Sequence, residues 1–249
     1  MARYKVILAY DGSRFAGSQR QVGRRTVQGE LESALRRLGW SGRSVVMAGR
    51  TDTGVHASGQ VAAFDIAWLH AEDRLLRALN SALPQDVAVR QVCEAPPEFH
   101  PRFDARSRLY RYSLFCQPVR DPLREQMAWR VWPPVGLDRL SEVAALLPGT
   151  HDFACFGSPV RSGGTTVRTV ESAGWQKTGT GLSFEIRADA FLYRMVRRVV
   201  FLQVAAARGR VRLEALAGCL SAGVEDARVG RLPAGLAPAH GLTLAEVAY

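Results

Sequence analysis

The sequence predicts an α+β protein made of two related halves packed around one mainly antiparallel sheet. Strand-like alternation and helix-like periodicity are interspersed along the chain. The first half reads strand, helix, strand, strand, helix, strand, the order of a ferredoxin-like unit, and the second half partly repeats it, as after an ancient duplication. The halves divide near "CEAPPEFHPRF", where three prolines interrupt any regular element. Residues 1–104 form the first α/β half and 105–249 the second.

Apolar residues alternate at Tyr4, Val6, Leu8 and Tyr10, which predicts a first strand ending at the turn "DGS". The loop "RFAGSQRQVGRR" follows, carrying Arg14, Arg20, Arg24 and Arg25. Thr26 is placed to cap a helix whose Val27, Leu31, Leu35 and Leu38 share a face. "RSVVMA" and "GQVAAFDI" predict two strands, "EDRLLRALNSALP" a helix stopped by Pro84, and "DVAVRQVCEA" a further strand. In the second half, "SRLYRYSLFC" predicts a strand and "LDRLSEVAALLPG" a helix. "VRTVESAGWQK" and "GLSFEIRA" predict a hairpin, and "DAFLYRMVRRVVFLQVAAARGR" the strongest helix. "RLEALAGCL" is a short helix and "GLTLAEVAY" a closing strand.

Composition narrows the function classes. The 249 residues carry a net charge of +10, and of 33 basic residues only Lys5 and Lys177 are lysines. Arginine grips phosphate bidentately and stacks on bases, so an Arg-rich basic chain suits a nucleic-acid partner. GC-rich codon usage also replaces Lys with Arg, but it does not account for the net charge. Cys93, Cys116, Cys155 and Cys219 are dispersed without a Cys-x-x-Cys pair, and the five histidines fall at no metal-ligand spacing. We therefore expect no metal site. No segment is long and apolar enough for a membrane span, so a cytoplasmic protein without membrane association is expected.

Three constellations carry chemistry. The first is "AGRTDTGVHASGQ", Ala48–Gln60, a loop between two predicted strands that holds Arg50, Asp52 and His56 among three glycines. Glycines at 49, 54 and 59 allow sharp bends or close approach. Asp52 has two readings, an Asx-turn carboxylate bonding nearby amides or an anionic carboxylate presented to a substrate. Arg50 beside it favours the ionised form. For His56 a structural hydrogen bond is expected rather than proton transfer. "DTG" also occurs around aspartic-protease carboxylates, but that chemistry needs a second, proton-sharing aspartate, and a single motif beside an arginine does not supply one.

The second constellation is "EFHPRFDARSRLYRYSLF", where Arg102, Arg106, Arg108 and Arg111 interleave with Phe99, Phe103, Tyr110 and Tyr112. Aromatics stack unpaired bases while arginines hold phosphates; the alternative is a strand with one buried face, on which one tyrosine packs and one faces a cleft. The third is the helix carrying Arg194, Arg197 and Arg198 at i, i+3 and i+4, either an anion site or a solvated basic face.

Taken in order, "YDGSRFAGSQRQ", "TVQGELESAL", "AGRTDTGVHASGQVAAF", "FHPRFDARSRLYRY", "HDFACF" and "AFLYRMVRRVV" resemble the tRNA pseudouridine synthase A family over nearly the whole chain. The resemblance implies the pseudouridine synthase fold, two α/β halves with a central active-site cleft. It also implies isomerisation of uridines at positions 38, 39 and 40 of the tRNA anticodon arm by a cofactor-free homodimer. By the same resemblance Asp52 is the nucleophile, Arg50 helps expel the target base, Tyr110 stacks on the flipped base, and Arg197 pairs with the Asp52 carboxylate. Phe99, His100, Pro101, Arg102 and Phe103, the segment Ser162, Gly163, Gly164, Thr165 and Thr166, and Arg14, Arg20 and Arg24 are expected to contact RNA. The family commonly has alanine where Thr53 stands and tryptophan where Ser18 stands, and Gly163–Gly164 replaces a more polar stretch. Two other classes compete with the enzyme, a catalytically silent RNA-binding protein with Asp52 as a turn residue, and a metal-dependent nuclease, which needs several converging carboxylates.

Overall fold

The computed structural model describes residues 1–159, 163–222 and 232–249. The chain folds as two compact units, residues 1–106 with 243–249, and residues 107–242. Both mix helices with antiparallel strands, the α+β class expected.

In the first unit the elements run β1 (Ala2–Tyr10), α1 (Val27–Arg37), β2 (Val46–Met47), β3 (His56–Ile66), α2 (Glu72–Ala82) and β4 (Val87–Ala95). β1 lies between β4 and β3, antiparallel to both. The far side of β3 is shared by antiparallel β2 at Ala62–Ala63 and parallel β10 (Leu242–Ala248) at His56–Ala57. The ferredoxin-like order thus closes with one strand added from the far end of the sequence. Tyr4, Val6, Leu8 and Tyr10 are all buried, as their alternation predicts. Val27, Leu31, Ala34 and Leu35 of α1 and Leu75 and Leu79 of α2 are buried as well. Thr26 caps α1 by accepting the Gly29 N–H. Asn80 of α2 bonds both the N–H and the C=O of Val89 at 2.8 Å, tying helix to strand.

The second unit comprises β5 (Ser107–Phe115), β6 (Trp129–Arg130), α3 (Leu137–Ala144), β7 (Gly149–Asp152), β8 (Val167–Thr178), β9 (Gly181–Ala188), α4 (Met195–Ala207) and α5 (Leu213–Ala222). β5, β9, β8 and β7 pair in that order, all antiparallel, and β6 runs parallel to the end of β5. Tyr112, Phe184 and Ile186 from the sheet and Leu140, Val199, Val200 and Leu202 from the helices are buried.

Two helices differ from the sequence reading. α3 ends at Ala144 because Leu146 and Leu147 bond carbonyls only three residues back, a tightened last turn. α4 begins only at Met195. Tyr193 pairs with Ser158 in a β-bridge, and Arg194 adopts φ 63, the left-handed region that no helix continues through. Arg194 therefore does not share a helical face with Arg197 and Arg198.

Leu31 is fully enclosed, so Leu31→Ala is expected to lower the free energy of unfolding by about 2–5 kcal/mol. Val22→Ala, at an exposed position, should change it by less than about 0.5 kcal/mol. Urea denaturation followed by circular dichroism checks both values.

Candidate active site

The Asp52 loop joins β2 to β3, and Thr51 is its anchor. Thr51 is buried, and all three of its polar groups are bonded. Its N–H donates to Ser18 Oγ at 2.9 Å, its C=O accepts the Ser18 N–H at 3.0 Å, and its Oγ1 lies 2.8 Å from the Tyr10 hydroxyl. On one side, Gln60 Nε2 donates to Gly49 O at 3.0 Å and the Ala48 N–H to Val61 O at 2.8 Å. On the other, the Val55 N–H returns to Asp52 O at 3.1 Å and closes a turn. Asp52, the next residue after the anchor, is half-buried, and Arg50 before it is exposed. Its guanidinium makes no hydrogen bond or ion pair among the described residues, so there is no direct Arg50–Asp52 pair.

The loop fits only because the segment after β1 comes very close. A Cβ on Gly12 would lie 2.0 Å from Val55 O, and one on Gly17, at φ 88, would lie 2.8 Å from Thr51 O. Of the motif's own glycines, Gly54 has φ 80 and Gly59 faces Ala245 O at 2.2 Å from its missing Cβ, whereas Gly49 has neither constraint. His56 is buried, with Nδ1 3.0 Å from the Gly12 N and 3.1 Å from Asp11 Oδ1. It bonds this same junction, the structural role expected of it. Burial alone would raise the Asp11 pKa, but hydrogen bonds from the Ser13 hydroxyl and N–H outweigh it and hold the carboxyl below its ordinary range.

In the second unit, Arg197 lies in the first turn of α4, half-buried. Its Nε donates to Ala237 O at 2.8 Å, and the Ala237 N–H donates to Arg197 O at 3.1 Å. Arg198 Nη1 donates to Pro233 O and Gly235 O at 2.6 and 3.0 Å. Burial lowers the pKa of Arg198. These bonds fix the planes of both guanidiniums against the segment 233–237. Tyr110 and Tyr112 share one face of β5, yet Tyr112 is 0% exposed with its hydroxyl on Pro238 O at 2.8 Å. Tyr110 is only half-buried, edge-on to Phe191 at 5.0 Å.

The expected RNA contacts differ among themselves. Phe99 packs on Tyr249 at 5.0 Å, and Pro101 is buried with its carbonyl on the Tyr249 hydroxyl. Phe103 is 73% exposed, stacked on His100 at 4.2 Å with Arg102 over its ring. His100 Nδ1 accepts the N–H groups of Arg102 and Phe103, so the turn that displays Phe103 is built by the histidine. Arg14 and Arg24 are exposed, and their side chains make no hydrogen bond or ion pair among the described residues, whereas Arg20 pairs with the fully buried Glu32 at 2.6 Å. Gly163, Gly164 and Thr165 are exposed and Thr166 is half-buried; Ser162 lies outside the described residues. Among the described residues no group of three His, Cys, Asp or Glu side chains is placed to hold a metal ion, and no helix is long and apolar enough to cross a membrane.

Sequence reasoning did not single out Tyr10 and Gln60. The available signal was a tyrosine ending a strand and a lone glutamine inside an apolar one, both of which must find polar partners when buried.

Comparison with known proteins identifies the class. Residues 6–104 and 143–249 match the tRNA pseudouridine synthase family, so the chain belongs to that family of isomerases acting on tRNA uridines. Its relatives are more particular. Proteins named tRNA pseudouridine synthase A are 40% identical in Chloroflexus aurantiacus, covering all of this chain and 89% of the relative, and 40% identical in Moorella thermoacetica, covering 98% of each. Another, from Halalkalibacterium halodurans, is 39% identical over 97% of this chain and 90% of the relative.

Because an added methyl at Gly12 would strike backbone, Gly12→Ala is expected to destabilise the chain by about 1–3 kcal/mol or more and to lower pseudouridine formation at least tenfold. Gly49→Ala, with nothing within 4 Å of its Cβ, should leave both near wild type. Thermal melts alongside pseudouridine counts in a tRNA transcript check the pair.

Proposed function

We propose that the chain converts uridines at positions 38 to 40 of the tRNA anticodon arm to pseudouridine, with Asp52 as nucleophile. The observation that carries this reading is the bonding of all three polar groups of Thr51, which fixes the backbone from which the half-buried Asp52 carboxylate projects. A turn aspartate would need no such anchoring of its neighbour.

The reaction breaks the bond from N1 of the base to C1′ of the ribose and forms one from C5 to C1′, with N1 gaining a proton and C5 losing one. The base is turned out of the stack, at a cost of a few kcal/mol, and phosphate contacts offset that cost. Asp52 then either adds at C6 of the base or displaces N1 from C1′ of the ribose. In both routes the bond to Asp52 is broken again, and the carboxylate is regenerated as the C5-glycoside is completed. Both routes use an ionised carboxylate that is held still. In this reading Arg197 is its counter-ion, and the bond to Ala237 O sets the guanidinium plane in advance. Tyr110 supplies a face for the displaced base, and exposed Arg50 occupies the space the base leaves. Phe103, Arg102, Arg14 and Arg24 contact the RNA at the surface. Phe99 and Pro101 support that surface from below, and the 163–166 segment is a second contact. The active species is a homodimer, for which sedimentation velocity should give twice the mass of the chain.

Incubating an unmodified tRNA transcript with wild type and with Asp52→Asn, then mapping pseudouridine chemically, tests the nucleophile. Wild type should modify one or more of positions 38 to 40, and Asp52→Asn should be slower by about 10³-fold or more. Equal rates would remove Asp52 from the chemistry, and no pseudouridine in any tRNA would remove the activity. Affinity for tRNA should fall steeply with salt, log Kd rising by about 0.7–0.9 per phosphate contacted for each decade of salt. A flat response in filter binding would contradict the phosphate contacts.

A further inference from the structure

We infer that Ser18 is a positioning residue for the Asp52 carboxylate, locking the two peptide planes that precede it. The inference rests on the reading of Asp52 as nucleophile. Ser18 lies in the loop between β1 and α1, 33 residues from Thr51 in sequence, and is 1% exposed, so its side chain touches neither solvent nor RNA. Its Oγ accepts the Thr51 N–H at 2.9 Å, which fixes the peptide between Arg50 and Thr51. Its N–H donates to Thr51 O at 3.0 Å, which fixes the peptide between Thr51 and Asp52. One residue therefore clamps both planes, and the Val55 N–H on Asp52 O at 3.1 Å restrains the peptide that follows.

The clamp is itself held. Ser18 O accepts the N–H of Gln28 in the first turn of α1 at 2.9 Å, and the buried phenol of Tyr10 bonds Thr51 Oγ1 at 2.8 Å. The Oγ is the acceptor of the Thr51 N–H, a role that a Ser or Thr fills and an Ala does not. Loss of the Oγ leaves the Thr51 N–H buried without its partner, and the loop relieves this only by shifting. Shifts of about 1 Å in a reacting group cost about 10²-fold in rate.

The test compares Ser18→Ala, Ser18→Cys and Ser18→Thr with wild type and Asp52→Asn on one tRNA transcript, below the melting temperature of each variant. Cys retains the volume but is a weak acceptor, and Thr retains the hydroxyl. Ser18→Ala and Ser18→Cys should lose about 10- to 100-fold in kcat, with KM for tRNA unchanged and faster amide exchange in the 48–55 peptide. Ser18→Thr should recover kcat to within a few-fold. If Ser18→Ala does not fold, Ser18→Cys carries the comparison. A kcat within twofold of wild type in folded Ser18→Cys overturns the inference, and so does a rise in KM with kcat unchanged. With Asp52→Asn inactive, either result leaves the nucleophile reading standing. Activity in Asp52→Asn would remove that reading and the positioning role with it.

Discussion

The contact on which the first unit's candidate site depends is the close approach of two backbone segments, Gly12–Ser18 and Thr51–Val55. Loops normally satisfy their polar groups in water, but this one is too buried for that. Its partners are supplied instead by β1's last residue, by the loop after β1 and by a glutamine inside β3. The loop following β1 is held in turn from the other side. Gln28 accepts the Arg20 N–H and donates to Glu32 and Ser44, and Glu32, fully buried, accepts the Val45 N–H and pairs with Arg20. A buried carboxylate is tolerated only with such a set of donors. The polar interior of α1 therefore reaches the chain on either side of the Asp52 loop, at Ser18 and at Val45. Each link left unpaired in this buried network would cost about 1–3 kcal/mol, which favours one loop conformation over many.

The net charge of +10 is not spread evenly in its use. Arg25 is committed to the fold. It grips both Asp86 oxygens and Glu30, lies over the Phe15 ring, and its pKa is raised chiefly by the hydrogen bonds to Asp86. Arg20, Arg111 and Arg130 are likewise paired with carboxylates. Arg14, Arg24 and Arg50 differ, being exposed and making no hydrogen bond or ion pair to a carboxylate among the described residues. A cation already paired gives up that partner to bind phosphate, while these three do not, so they suit a polyanion better than composition alone suggests. Arg25 also fixes the loop from which Arg14 and Arg24 project, so a structural arginine orders surface ones.

Much of this was legible in the sequence, for identifiable reasons. Where burial follows a simple period, as at Tyr4, Val6, Leu8 and Tyr10, or at Leu31 and Leu35, the pattern gave the element and its inward face. The Asp52 loop was legible because charged residues and glycines stood between apolar runs. Three things were not. β6 and β7 are too short to show alternation. Glu32 sits beside Leu31 at a position that periodicity gives to neither face, and its burial is explained by partners that include Arg20, 12 residues earlier, and Val45, 13 residues later. Ser18 stood out in the sequence only as a departure from the family's tryptophan. Its bonding depends on a contact across 33 residues, and no local pattern records such a contact.

The start of α4 shows the same limit from another direction. An unbroken apolar and basic pattern predicts a helix from Asp189, yet the backbone turns left-handed at Arg194 and the helix opens with Arg197 and Arg198 in its first turn. Cations there oppose the helix dipole, by about 0.3–1 kcal/mol each at exposed sites, and no acidic residue of the first turn offsets them. The compensation comes from carbonyls of Pro233, Gly235 and Ala237, which accept from the two guanidiniums. Carbonyls stabilise the positive charges without neutralising them. The same carbonyls set the orientation of both guanidiniums. An orientation set in advance suits the counter-ion role proposed for Arg197.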